Sequence, residues 1–197
     1  MKTRLLLLIF LISFVSVSFT QTQKHRTIDS LTSLLQKTKV NEEKIELYFQ
    51  LNKEYRDVNK DTSLTLSGKA LYLSKKIKNN EKIAFSHVII GETYREMGNF
   101  PEARKNFDLA FKIAPDNLEV KGDVYENLGH IYRELDDSTN TFDYYRKALK
   151  SRLNTGNEEK IAFAYYNFGH YYSNLNKHAD AQKYYLLALP LFKKVKN

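Results

Sequence analysis

Three glycines, Gly91, Gly129 and Gly169, are each followed by an alanine at the same distance. Ala110, Ala148 and Ala188 all lie 19 residues downstream. The local strings agree as well: GETYRE begins at Gly91, GHIYRE at Gly129 and GHYYSN at Gly169. The copies are spaced by 38 and then 40 residues. A period of this length marks a stack built from one supersecondary unit, because one unit cannot bury its apolar face alone. Duplication is also visible in a second string. NEEKI at Asn41 returns as NNEKI at Asn79 and as NEEKI at Asn157.

The unit is a pair of helices. Only 7 Gly and 3 Pro occur in 197 residues, which disfavours a turn-rich β fold. The apolar positions of the first helix in each pair recur at helical spacing, as in Ile45, Leu47, Tyr48, Leu51 and Tyr55. The spacing predicts helices over about 41–58 and 61–79, then 80–97 and 100–114, 119–135 and 139–154, 158–175 and 177–194. Asn41 is expected to cap the first of these, and Asp61 or Thr62 the second. Gly98-Asn99 closes a helix by supplying a left-handed residue, and Pro101 opens its partner. Ahead of the array, Ile28 to Lys39 reads as a short leading helix covering its open end. Gln21 to Thr27 reads as a disordered polar stretch.

The first 20 residues read as a secretory signal peptide. Lys2 and Arg4 precede a nearly unbroken apolar run from Leu5 to Val17, and small residues stand before Gln21. Cleavage near Gln21 would make the mature chain an exported protein, periplasmic or extracellular. The alternative is an uncleaved membrane anchor. The formal charge of +8 includes two charges from this segment. The remaining basic residues read as a solvated surface with a preference for acidic peptides or anionic membrane rather than nucleic acid. With 0 Cys, disulfides, thiolate catalysis and Cys-based metal sites are excluded.

The copies resemble the tetratricopeptide repeat family. The stretch from Ala84 to Asn117 carries Ile90-Gly91, Tyr94, Gly98, Phe100, Ala103, Phe107, Ala110 and Pro115 where that family has Leu-Gly, Tyr, Gly, Tyr, Ala, an aromatic, Ala and Pro. The next copy supplies Tyr125, Leu128, Gly129, Tyr132, Tyr145 and Ala148, with Thr141 at the first Ala position. The last supplies Tyr165, Phe168, Gly169, Tyr172, Ala181, Tyr185 and Ala188. A degenerate leading copy has Asn52 for the Gly, with Ser63 and Ser67 for the small and aromatic residues. The small residues are expected where two helices cross closely, and the large ones fill space beside them. The resemblance implies an all-α fold, a right-handed α-solenoid of about four such hairpins with a leading helix. The resulting division is a signal peptide at 1–20, an N-terminal segment at 21–40 and a repeat domain at 41–197, with repeats at about 41–79, 80–117, 118–156 and 157–197. The long repeat step and the exported leader resemble a narrower group, the extracytoplasmic tetratricopeptide regions of bacterial two-component sensor kinases and regulators.

The family's concave face is lined by the first helix of each pair. Carried over to this chain, the resemblance implies a partner-binding set of Glu92, Arg95, Asn127, His130, Arg133, Tyr166, Asn167 and His170. Phe85, Val88, Glu96, Asp123, Glu126, Glu134, Phe163, Ser173 and Asn174 occupy further inner positions. Arg95 and Arg133 suit a carboxylate or a peptide backbone; Phe163 and Tyr166 suit an apolar side chain. His130 and His170 fall on equivalent positions, but two histidines with no third firm ligand do not make a metal site. His87 reads as a packed core residue. No catalytic motif is present, so neither an enzymatic activity nor a cofactor is expected. The expected role is protein or peptide binding in the groove. The alternative is the sensory input region of a two-component signalling protein, of which this chain would be a truncated part. The final helix carries Leu186, Leu187, Leu189, Leu191 and Phe192, with Pro190 weakening it, and is expected to expose them for self-association or docking.

Overall fold

The computed structural model describes residues 23–195. Residues 23–37 are helical (α1), and eight further helices follow: α2 Asn41–Tyr55, α3 Lys60–Lys76, α4 Asn80–Glu96, α5 Phe100–Ile113, α6 Leu118–Glu134, α7 Ser138–Thr155, α8 Glu158–Asn174 and α9 His178–Val195. No strand occurs among the described residues. The expected all-α array of paired helices is the observed fold. The proposed signal peptide at residues 1–20 lies outside the described residues. None of the described helices is long and apolar enough to cross a membrane.

The helix starts follow one device. Asn59, Asn79, Asn99, Asn117, Asp137 and Asn157 each accept a hydrogen bond on the side-chain oxygen from the backbone N–H three residues on. This satisfies one of the donors a helix N-terminus leaves free. Two expected caps are corrected. Val40, not Asn41, precedes α2 and makes no side-chain cap. Asn59, not Asp61 or Thr62, caps α3. The stretch expected to be disordered is helical from residue 23. Gly98 ends its helix region at φ +75°, as expected, and Gly156 does the same after α7 at φ +70°.

The described residues form two compact units, 23–77 and 78–195. In the first, α2 and α3 form a hairpin against which α1 packs. Ile28 of α1, Leu51 of α2 and Leu66 of α3 meet in one buried cluster, flanked by Leu31, Leu35, Tyr48 and Tyr55. The small-residue crossing is here polar. Asn52 is 1% exposed and donates from Nδ2 to the Ser63 carbonyl at 2.8 Å and the Ser63 hydroxyl at 2.7 Å.

In the second unit α4 pairs with α5, α6 with α7, and α8 with α9, while α6 also touches α4 and α5, and α7 touches α8. Ala84, Val88, Ala103, Phe107, Ala110, Val120, Val124 and Ile131 form one continuous buried cluster across the first two hairpins. The repeat glycines sit where a ring from the partner helix lies flat on the backbone. A Cβ at Gly91 would stand 2.5 Å from the Phe107 ring; at Gly129 or Gly169 it would stand 2.4 Å from Tyr145 or Tyr185. Ala103, Ala110, Ala148, Ala181 and Ala188 are all buried opposite. Helix α9 runs unbroken through Pro190. Leu186, Leu187 and Leu189 are exposed on it as expected, whereas Leu191 and Phe192 are half-buried and Phe192 packs edge-on against Phe163 at 5.0 Å.

These crossings predict opposite outcomes for two Gly→Ala changes. Gly169→Ala should destabilise by about 1–3 kcal/mol through overpacking. Gly68→Ala, at an exposed site in α3 with nothing within 4 Å, should stabilise by up to about 1 kcal/mol through helix propensity. Urea unfolding of the two variants checks both signs.

Candidate functional site

The expected binding residues lie on α4, α6 and α8 of the second unit, and Glu92, Arg95, Asn127 and Asn167 among them are hydrogen-bonded within it. Arg95 on α4 donates from Nε to Asn127 Oδ1 at 3.0 Å and from Nη1 to Glu134 at 3.1 Å; Glu96 lies 3.4 Å from Nη2. Asn127 in turn donates to Glu92 at 3.1 Å and to the Asp123 carbonyl at 2.9 Å. Asn167 on α8 donates to Glu126 of α6 at 2.8 Å. Asn127 and Asn167, expected at the groove, are therefore buried in the seams between first helices. Val88, assigned to the inner face, is corrected to the core, where it is 2% exposed. Phe163 and Tyr166 are each 45% exposed, so they remain open to a partner.

His130 lies against the ring that covers its neighbouring glycine. The Tyr145 hydroxyl is 2.8 Å from His130 Nδ1. Glu126 faces the other nitrogen, Nε2, at 4.0 Å, which favours the tautomer with its proton there. Nδ1 then accepts from Tyr145. Burial first, then the charges of Arg95, Arg133 and His170, lowers the His130 pKa from 6.5 to about 3. Burial pushes the Tyr145 hydroxyl up to about 12. Both groups are neutral at ordinary pH. His170, one repeat on, has a buried Nδ1 with no hydrogen-bond partner. Among the described residues no group of three or more His, Asp or Glu is placed to hold a metal ion. His87 is buried and pairs through Nδ1 with Asn106 Oδ1 at 3.0 Å.

The largest feature absent from the sequence reading is a buried charge cluster centred on Arg152. Its side chain is 1% exposed and reaches from α7 under α6. It donates to Glu119 at 3.1 Å, to Asp123 and to Glu126 at 3.2 Å. Lys160 of α8 closes the cluster on Glu119 at 2.7 Å and Asp123 at 3.2 Å. Gly122 makes room: a Cβ there would lie 2.6 Å from the guanidinium. Burial raises the Glu126 carboxyl above its usual range despite the pull of Arg152. At Glu119 burial pulls the same way, but the Lys160 hydrogen bond and charge prevail and the carboxyl falls below its usual range. A signal for this cluster existed. Ala84, Gly122 and Ala162 all stand seven residues before the repeat glycine, two helical turns away on the same face.

Charge is also layered. In the second unit the first helices, α4, α6 and α8, carry nine Asp and Glu against five Lys and Arg. The second helices, α5, α7 and α9, carry four against ten. In the first unit α2 has four against two and α3 one against four. The excess positive charge of helices α2 to α9 is thus concentrated on second helices.

Two family models match the chain. The SusR N-terminal TPR domain matches residues 17–155, and a tetratricopeptide repeat model matches 122–194. No curated protein sequence matches. Among solved structures, a Rap protein complexed with Competence and Sporulation Factor is similar with a TM-score of 0.75 and 18% identity, over 91% of this chain and 52% of that one. Aspartyl phosphate phosphatase F from Bacillus subtilis has a TM-score of 0.69 and 15% identity, over 89% and 50%. BtubC from P. vanneervenii has a TM-score of 0.61 and 16% identity, over 85% and 71%. The chain therefore spans about half the length of the Rap protein and of the phosphatase. At these identities the likeness is one of fold.

His130 makes stability pH-dependent in a defined direction. Unfolded, the imidazole takes a proton near its ordinary pKa of 6.5; folded, it does so only near 3. The unfolded state binds more protons between these values, so stability present above 6.5 is lost as pH falls, by up to about 1.4 kcal/mol per pH unit. His130→Gln, which keeps an acceptor for Tyr145, should lack this slope. Urea unfolding at neutral and mildly acidic pH should show the variant gaining on the wild type as pH falls; parallel profiles would contradict the assignment.

Proposed function

The chain belongs to the family of SusR N-terminal tetratricopeptide domains, and from that membership we propose that it is an exported interaction module that grips a protein or peptide partner along the first-helix face of its second unit. The observation that carries this reading is the pair Phe163 and Tyr166, large aromatic side chains each 45% exposed on a first helix. They adjoin a rigid hydrogen-bonded polar network. Exposed aromatics beside fixed polar groups are the composition of interface anchors. The Rap protein of similar fold was crystallised with Competence and Sporulation Factor, which supports binding as the use of the fold. Export rests on the apolar leader alone.

The family model describes an N-terminal domain. This favours a second reading, in which the array is the input region of a longer signalling protein. A reading frame continuing past residue 197 into a membrane span and an output domain would establish it; a stop codon there would remove it.

A photo-crosslinking residue at Tyr166 should capture the partner from the envelope fraction, and one at Lys105 on a second helix should not. Equal capture from both positions would move the site elsewhere. An adduct of twice the chain's mass would identify the partner as a second copy and place self-association on this face rather than on α9.

A further inference from the structure

The repeat register exposes a missing carboxylate. In the first hairpin of the second unit, Arg95 stands four residues after the repeat glycine. It is held by two groups of the next first helix: Asn127, two residues before its glycine, and Glu134, five residues after. Moved on by one repeat, the same geometry calls for Arg133 to be held by Asn167 and by residue 174. Asn167 instead gives its amide N–H to Glu126, and position 174 is a neutral Asn. The acid beside Arg133, Glu134, is already spent on Arg95. Among the described residues Arg133 forms no hydrogen bond or ion pair.

A cavity of about 130 Å³ lies at this place, lined by Arg133, Asp136, Ser138, Thr141, Tyr171 and Asn174. That volume holds about four waters at liquid density, which suits an Asp or Glu side chain or a chain terminus. Arg133 brings a planar fork of donors that matches a carboxylate. Ser138, Tyr171 and Asn174, which also line it, are neutral side chains with donor groups. Asp136 is exposed, and its carboxylate at the rim opposes an anion without pairing to Arg133.

We propose that Arg133 and Asn174 form a carboxylate-binding site, in which a partner's carboxylate takes the place that Glu134 takes beside Arg95. This rests on the reading of the first-helix face as the binding face, and adds the chemistry of the group bound. Carboxylate is favoured over other anions because a carboxylate fills the equivalent position one repeat earlier. Its source is an acidic side chain or a peptide C-terminus.

Three probes separate these: acetyl-Ala-Glu-Ala-amide, acetyl-Ala-Ala-Ala with a free terminus, and the neutral acetyl-Ala-Gln-Ala-amide. Each is titrated into the millimolar range, with the Arg133 Nε–H signal followed by NMR. Either acidic probe should shift that signal and the neutral one should not; the one that binds names the source. Arg133→Gln should weaken the binding at least tenfold. Asn174→Glu, at an exposed position that tolerates the change, should do the same by restoring the internal carboxylate. Asp136→Asn should tighten it. No shift with either acidic probe, or binding undiminished in both Arg133→Gln and Asn174→Glu, overturns the site. Capture at Tyr166 is unaffected by that failure, so the broader binding face is judged separately.

Discussion

The second unit depends on the approach of a flat aromatic ring to a bare backbone. Phe107, Tyr145 and Tyr185 lie on Gly91, Gly129 and Gly169 so closely that no Cβ fits between them. Two helices held at this distance bury the alanines opposite and present stripes to the next pair. Neither stripe is satisfied within one hairpin, so the buried cluster runs from α4 to α6 without a break. The first unit solves the same crossing with hydrogen bonds: Asn52 reaches over to Ser63 and Ser67 stays small. A side-chain amide there requires a satisfied partner, and the Ser63 backbone and hydroxyl provide it.

Repetition fixes slots, and the slots are filled differently. One slot, six residues before the repeat glycine, holds Phe85, Asp123 or Phe163. In the last hairpin it is an aromatic contact, Phe163 on Phe192. In the middle hairpin it is the ion pair of Asp123 with Arg152, at the same register. A buried guanidinium is costly to desolvate, and it persists only when several acceptors surround it. Glu119, Asp123 and Glu126 do so, and Lys160 offsets their mutual repulsion. Removing one member of such a set costs about 3–5 kcal/mol by leaving a charge unpaired in the interior. The polar groups named as binding residues divide along the same line. Arg95, Asn127 and Asn167 hold the first helices to one another; Phe163, Tyr166 and Arg133 are not consumed by that task.

The layering of charge has the same origin in repeat geometry. Each duplication copies an acidic helix start, NEEKI or a relative of it, onto a first helix, where the positive end of the dipole favours carboxylates. Lysines accumulate on the second helices. A face of one sign steers encounter with partners of the other, and net charge alone hides this.

How much was legible follows from the range of each interaction. The repeat period, the helix pairs, the glycine crossings, the Gly98 stop and the packed state of His87 could all be read from the chain, because each depends on residue size, backbone conformation or spacing inside one unit. The cap of α3 was placed two or three residues late, at Asp61 or Thr62 instead of Asn59, since neighbouring polar residues compete for the same donor and only the backbone decides between them. Val88 was assigned to the inner face by carrying over the family's inner positions, and only the packing places it in the core, unlike its repeat equivalents Glu126 and Tyr166. The sequence by itself determined that this chain is an array of helix hairpins with close small-residue crossings. Only the tertiary structure decided which charges are spent internally and which stay available, because Arg95 meets Glu134, 39 residues on, only where one hairpin docks on the next, and Arg152 meets Asp123, 29 residues back, only where the two helices of one hairpin pack.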